Sequence, residues 1–324
     1  MKVFITREIP EIGLARLKDA GIEVLHWTQK RELTPQELIE NCLPCDALLS
    51  AGYNKLNKEF LNACKHLKVI ALHSVGFDNV DIAEASLLKI PVGNTPRVVS
   101  DATADTAFLL MLAASRMAFH QHKKIINEGW GFFEPKANLG IELTGKTLGV
   151  FGLGKIGFEM AKRCKGAYQM KIIYHNRNKN SSAENDLDAE WVSFDDLLER
   201  SDVVSVHCNL SLETRGIFNI DAFAKMKTSS IFINTARGGI HNETDLIDAL
   251  TNKIIWGAGL DVTNPEPMQK DNPLLSMPTV AVLPHIGTAT EATRNAMSEM
   301  AAENIIAGLA GRKIPFPVNQ EMYD

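Results

Sequence analysis

Three residues able to do acid–base and anion chemistry follow three β-like runs in the second half of this 324-residue chain. Arg237 comes after residues 230–234, Glu266 after residues 256–262 and His285 after residues 280–283. A histidine titrates near neutral pH and can hand a proton to a carbonyl oxygen. A carboxylate beside it favours the imidazolium and fixes the ring's orientation. An arginine fork can hold a carboxylate or polarise a carbonyl. Each residue alone reads as a solvated loop side chain or a surface ion pair. Three at the carboxyl ends of strands in one open parallel sheet, where ligands gather, read better as one site.

Those strands need a scaffold, and residues 148–157 carry its signature. A short apolar run enters Gly152-Leu153-Gly154-Lys155-Ile156-Gly157, a G-x-G-x-x-G between strand and helix. Gly152 permits the tight turn, Gly154 lets the backbone approach a diphosphate, and Gly157 lets helix and strand pack closely. The helix start at Lys155 and Ile156 offers N–H groups and a positive dipole end to phosphates. The next strand, residues 171–175, follows at βαβ distance. An NAD enzyme places an acid at its end to bind the ribose hydroxyls; an NADP enzyme removes that charge and supplies cations. Here Asn176 occupies the acidic position, and Arg177 and Lys179 follow. The expectation is NADP(H) as the preferred cofactor, with NAD(H) as the alternative.

The first part of the chain alternates β-like runs (2–6, 23–27, 46–50, 69–72) with helical ones, which means parallel strands covered on both faces. It has no dinucleotide glycine motif and reads as the substrate side. Thr34-Pro35-Gln36-Glu37 is a capping box that starts one of its helices. One long helical pattern follows, from Ser100 or Asp101 to Asn127, and a closing helix is expected over 291–309. The length suits two domains of ordinary size.

Composition narrows the function classes. A hydrophobic share of 45% and a charged share of 23% are those of a soluble globular protein. A net charge of −5 without a basic block argues against nucleic acid. No apolar run approaches a membrane span, and the chain opens directly on a strand with acids soon after, unlike a signal peptide. Five cysteines, an odd and mostly scattered set, suit a reducing cytoplasm. Cys42 and Cys45 form one C-x-x-C with no second pair to complete a zinc site, so no metal is expected.

The runs Ile233-Asn234-Thr235-Ala236-Arg237-Gly238, Gly259-Leu260-Asp261-Val262 with Glu266-Pro267, and Leu283-Pro284-His285-Ile286-Gly287 resemble the D-isomer-specific 2-hydroxyacid dehydrogenase family. So do His73-Ser74-Val75-Gly76-Phe77-Asp78 and Asp101-Ala102-Thr103-Ala104-Asp105. Within the family the resemblance is strongest to glyoxylate/hydroxypyruvate reductases, including the branch that reduces 2-ketogluconate. It implies two Rossmann-like α/β domains, the cofactor domain (99–286) inserted into a split substrate domain (1–98 with 287–324). It implies that Arg237 binds substrate, that Glu266 pairs with His285, and that His285 is the acid/base. The amides of Val75 and Gly76 would hold the substrate carboxylate. Asn209, Thr235, Asp261 and Gly287 would line the cofactor; Asn209 stands where many members have proline. The segment from Ser100 through Trp130 resembles the family's dimer-building arm, so a homodimer is expected. Two other readings stay open: a cofactor-gated corepressor-like binding module, and formate or phosphite oxidation.

Overall fold

The computed structural model describes residues 1–323. In chain order the elements are β1 (Lys2–Ile5), α1 (Glu11–Asp19), β2 (Glu23–His26), α2 (Pro35–Cys42), β3 (Ala47–Ser50), α3 (Lys58–Ala63), β4 (Val69–Leu72), α4 (Ile82–Leu87), β5 (Val92–Gly93), α5 (Ser100–Ser115) and α6 (Ala118–Glu128). Then come β6 (Thr147–Phe151), α7 (Lys155–Tyr168), β7 (Lys171–His175), α8 (Ser181–Leu187), β8 (Glu190–Trp191), α9 (Phe194–Arg200), β9 (Val203–Val206) and α10 (Ile220–Lys225). The last are β10 (Ile231–Asn234), α11 (Glu243–Thr251), β11 (Gly257–Leu260), β12 (Val280–Val282) and α12 (Glu291–Leu309). No helix among the described residues is long and apolar enough to cross a membrane.

The chain divides into two compact units: Met1–Val99 with residues 288–323, and Ser100–Gly287. The first holds a five-stranded parallel sheet in the order β2-β1-β3-β4-β5. Side chains alternate across a strand, and the core shows it directly. Val3, Ile5, Ala47, Leu49, Val69 and Ala71 enter one apolar cluster. Phe4, Leu48, Ile70 and Leu72 enter the cluster on the other face. Both faces being buried is what a parallel sheet requires. Helix α12 covers the first face with Ala301, Ala302 and Ile305. Its buried Asn304 donates to Asn94 O (3.1 Å) and accepts from Phe316 N (3.1 Å).

The second unit is built on a seven-stranded parallel sheet, β12-β11-β10-β9-β6-β7-β8. It is again two-sided: Leu148, Val150, Val203, Ile231 and Ile233 face one cluster, while Val204, Val206 and Phe232 face the other. Strand order reverses around β6, which pairs with β7 on one side and β9 on the other. The crevice beyond that reversal is where such sheets bind ligands.

One expectation is corrected here. The single helix over residues 100–127 is two helices, α5 and α6, broken at Met117, whose φ is +52°. The Ser115 carbonyl, which a continuous helix would bond to residue 119, instead accepts from Ile141 N at 2.8 Å. Three short elements were also not expected: α4, α8 and the two-residue β5. The capping box at Thr34 is present, its side chain accepting from Glu37 N.

Candidate active site

The glycine turn leaves β6 with three distinct geometries. Gly152 has φ +98°, and a Cβ there would lie 2.6 Å from Cys208 N, so both conformation and space demand glycine. Gly157 is a packing position, since a Cβ would meet Gly152 O at 2.7 Å and Val150 Cγ1 at 2.9 Å. Gly154 differs: a Cβ would meet nothing within 4 Å. The protein does not need that position bare for its own packing, so its bareness suits a ligand's approach. Gly154 is also the N-cap of α7 and offers no side-chain acceptor, leaving the amides at Lys155 and Ile156 oriented for an anion. Along the same sheet edge Thr235 is buried, and its hydroxyl has no hydrogen-bond partner among the described residues. A bare cradle, an uncapped helix start and an unsatisfied buried hydroxyl fit a dinucleotide.

The loop after β7 is tied to this turn. Leu153 N donates to Asn176 Oδ1 at 2.7 Å, Asn176 Nδ2 donates back to Leu153 O at 3.3 Å, and Asn180 Nδ2 adds a bond to the same carbonyl at 2.9 Å. Asn176 thus stands at the end of β7 with its side-chain amide committed to the glycine turn. Arg177 and Lys179 are exposed. Asn209, beyond β9, is exposed, and its carbonyl accepts from Thr214 Oγ1 at 2.8 Å.

The acid–base residues come together within the second unit. Arg237 follows β10 as the N-cap of a short 3-10 turn, Gly238–Ile240. Its turn is shaped by Asn234, whose Oδ1 accepts from Ala236 N (3.0 Å) and whose Nδ2 donates to Arg237 O (2.9 Å) and His241 Nδ1 (3.0 Å). His241 is buried, and burial pushes its pKa down to about 4, so it stays neutral and able to accept. At Gly238 a Cβ would lie 1.9 Å from Thr263 O, so only glycine lets the arginine turn lie against the loop that carries Glu266. That loop is braced by buried Glu243, which accepts from Asn264 N (2.8 Å) and Asn272 Nδ2 (2.7 Å).

His285 sits past β12 with φ +54°, a conformation that side chains other than glycine seldom hold without support. The support is Asp261, at the end of β11. Its two carboxylate oxygens accept from Ile286 N (2.8 Å) and Gly287 N (2.7 Å). Its burial raises the Asp261 pKa even though those two amides oppose the shift.

His285 Nδ1 donates to Glu266 Oε1 at 2.5 Å, and each side chain keeps close to half its surface open (48% and 42%). The Glu266 bond raises the imidazole pKa above its usual value; burial opposes this, the Glu266 and Asp261 charges add to it, and Arg237 opposes it. Burial pushes Glu266 up, but the His285 bond and charge, with Thr263 and Arg237, outweigh it and hold the acid below its usual range. Arg237 is thus near enough to act electrostatically on both partners. The three residues expected to act together do lie at one edge of one sheet. Sequence reasoning did not find Asn234, His241 and Glu243; a polar residue buried at a strand end or helix start was the available signal.

In the first unit, Val75 and Gly76 lie on the half-buried loop after β4. Its carbonyls are engaged: Ser74 O accepts from Thr95 N (2.9 Å), Val75 O from Asn94 Nδ2 (2.8 Å) and Gly76 O from Ser74 Oγ (2.8 Å).

A seven-stranded parallel sheet with a diphosphate turn at its reversal point and a histidine–carboxylate pair on its carboxyl edge defines a dinucleotide-dependent α/β protein. Residues 108–287 match the family model of the D-isomer specific 2-hydroxyacid dehydrogenase, NAD binding domain. The chain is 38% identical over 322 residues to a glyoxylate reductase of Korarchaeum cryptofilum, covering 99% of this chain and 96% of the relative. It is 39% identical over 317 residues to the human glyoxylate reductase/hydroxypyruvate reductase, covering 97% of each. Among solved structures it is similar to an NADPH-dependent glyoxylate/hydroxypyruvate reductase from Sinorhizobium meliloti in complex with NADP and malonate. The TM-score is 0.84 at 29% identity, covering 98% of this chain and 96% of the other. The chain belongs to the D-isomer-specific 2-hydroxyacid dehydrogenase family.

Proposed function

We propose that this protein reduces small 2-oxo acids to D-2-hydroxy acids, with glyoxylate and hydroxypyruvate as the substrate class and 2-ketogluconate as a further candidate. The observation that carries the reading is the His285–Glu266 pair beside Arg237 on the carboxyl edge of the glycine-motif sheet. The reduced nicotinamide, when bound, supplies the hydride. Everything else falls to the chain. With Nδ1 bonded to Glu266, Nε2 is the imidazolium nitrogen left to donate a proton to the carbonyl oxygen. Glu266 keeps the ring charged and fixed until that transfer, and Arg237 offers its fork to the substrate carboxylate or carbonyl. In the first unit, the amides of Val75 and Gly76 are proposed as donors to a carboxylate, the neighbouring carbonyls being already paired.

The preferred cofactor in this reading is NADPH. The loop at 176–179 has no carboxylate to repel a 2′-phosphate, Arg177 stands exposed there with no ion pair among the described residues, and the Sinorhizobium meliloti relative binds NADP. The protein is also read as a homodimer, since Ile126, Trp130, Phe132 and Phe133 on the segment after α5 leave large apolar side chains exposed.

Steady-state rates with glyoxylate, hydroxypyruvate, pyruvate and 2-ketogluconate against both cofactors test the assignment. Glyoxylate or hydroxypyruvate with NADPH is expected to give the highest kcat/KM; equal or better efficiency with NADH defeats the cofactor preference. In the same assay Arg177→Ala is expected to raise the KM for NADPH about tenfold or more, the loss of a charge-assisted contact, while NADH changes little.

A further inference from the structure

We infer that Trp191 is the positioning residue that arms the loop 176–179 for a 2′-phosphorylated nucleotide, an inference that rests on the cofactor reading above. Trp191 ends β8, the edge strand, paired with Tyr174 of β7. Trp191 is 40% exposed, and its side chain touches the loop at two points. The indole Nε1–H donates to Asn176 O at 3.0 Å. The Lys179 ammonium lies over the ring, 5.6 Å from its centroid. One side chain therefore holds both ends of the segment that carries Arg177. Because Asn176 also clasps Leu153, the indole joins the specificity loop to the diphosphate turn.

The choice of an aromatic seat has a chemical consequence. A carboxylate at 191 would grip Lys179 but neutralise it. An indole face attracts the ammonium through its quadrupole and leaves the positive charge and its N–H donors to a ligand. The nearby acid Glu190 is occupied by Arg200, whose guanidinium bonds its carboxylate at 2.5 and 2.9 Å, so it does not compete. Lys179 makes no ion pair among the described residues. The result is a flexible cation held in advance near Arg177, which lowers the ordering cost of binding a phosphate there.

The test is calorimetric titration with 2′,5′-ADP and 5′-AMP, which differ only in the 2′-phosphate, on the wild type, Trp191→Ala and Trp191→Phe. The wild type is expected to prefer 2′,5′-ADP. In Trp191→Ala that preference should fall about fivefold, while 5′-AMP affinity moves by less than about twofold. Trp191→Phe keeps a ring under Lys179 but loses the bond to Asn176 O, and should fall between. If the alanine variant is not stably folded, Trp191→Phe and Lys179→Met decide: each must lower the ratio. An unchanged ratio, or equal loss of affinity for both ligands, overturns the inference and leaves the cofactor reading standing. A wild type with no preference for 2′,5′-ADP overturns the cofactor reading itself.

Discussion

Replacing His285 by alanine is expected to lower kcat for glyoxylate reduction by about 10²–10⁴-fold, the usual worth of a positioned general acid. The expectation rests on a ring with one nitrogen held in place and the other, Nε2, left to donate. Nδ1 is held by Glu266 at 2.5 Å, and the backbone at 285 is locked by Asp261 through the two amides that follow. Removing the ring should leave that backbone lock in place, so nucleotide binding should survive. The fall should therefore appear in kcat far more than in the KM for cofactor. A variant with near-normal turnover would assign the proton to another group.

The second large effect is expected at Arg237. Arg237→Ala should lower kcat/KM for the oxo acid by about 10²–10³-fold, the range for removing one donor aimed at developing charge. Unlike the histidine variant, it should raise the KM for substrate as well as lower kcat. It should also leave a mark on His285. The guanidinium holds the imidazole pKa down, so its loss should move the alkaline limb of the reduction profile to higher pH. Arg237→Lys should recover little, because an ammonium cannot reproduce the planar fork. Recovery of wild-type efficiency in the lysine variant, measured by the same steady-state rates, would mean that only a positive charge is needed.

Much of this architecture was legible in the residues because it is written in short-range patterns. Apolar runs four or five residues long, separated by helix-length segments, gave two parallel sheets. Gly152, Gly154 and Gly157 marked the glycine turn, and the strand ends at 237, 266 and 285 marked the candidate site. What was not legible depends on partners far along the chain. Nothing near Ser115 announces that its carbonyl is claimed by Ile141, so α5 and α6 read as one helix. Nothing near His285 announces the left-handed backbone that Asp261 holds, nor that the Asn264–Pro265 and Glu266–Pro267 bonds around the acid are both cis. Asn176 read as a substitution that removes a charge; only its bonds to Leu153 reveal that it also fastens the glycine turn. Asn234 and His241 look like ordinary strand-end and loop residues until burial shows that they shape the Arg237 turn.

The proposed mechanism centres on an imidazolium, raised in pKa by its acid, that would give its proton to a carbonyl oxygen in one direction and take it back in the other. The pH dependence of kcat/KM, measured on the wild type for glyoxylate reduction and for the reverse oxidation of the hydroxy acid, tests this most directly. Reduction should be level on the acid side and decline as pH rises through an inflection above the usual imidazole value; oxidation should climb through the same inflection. Two profiles that move in the same direction, or that show no inflection there, would contradict it.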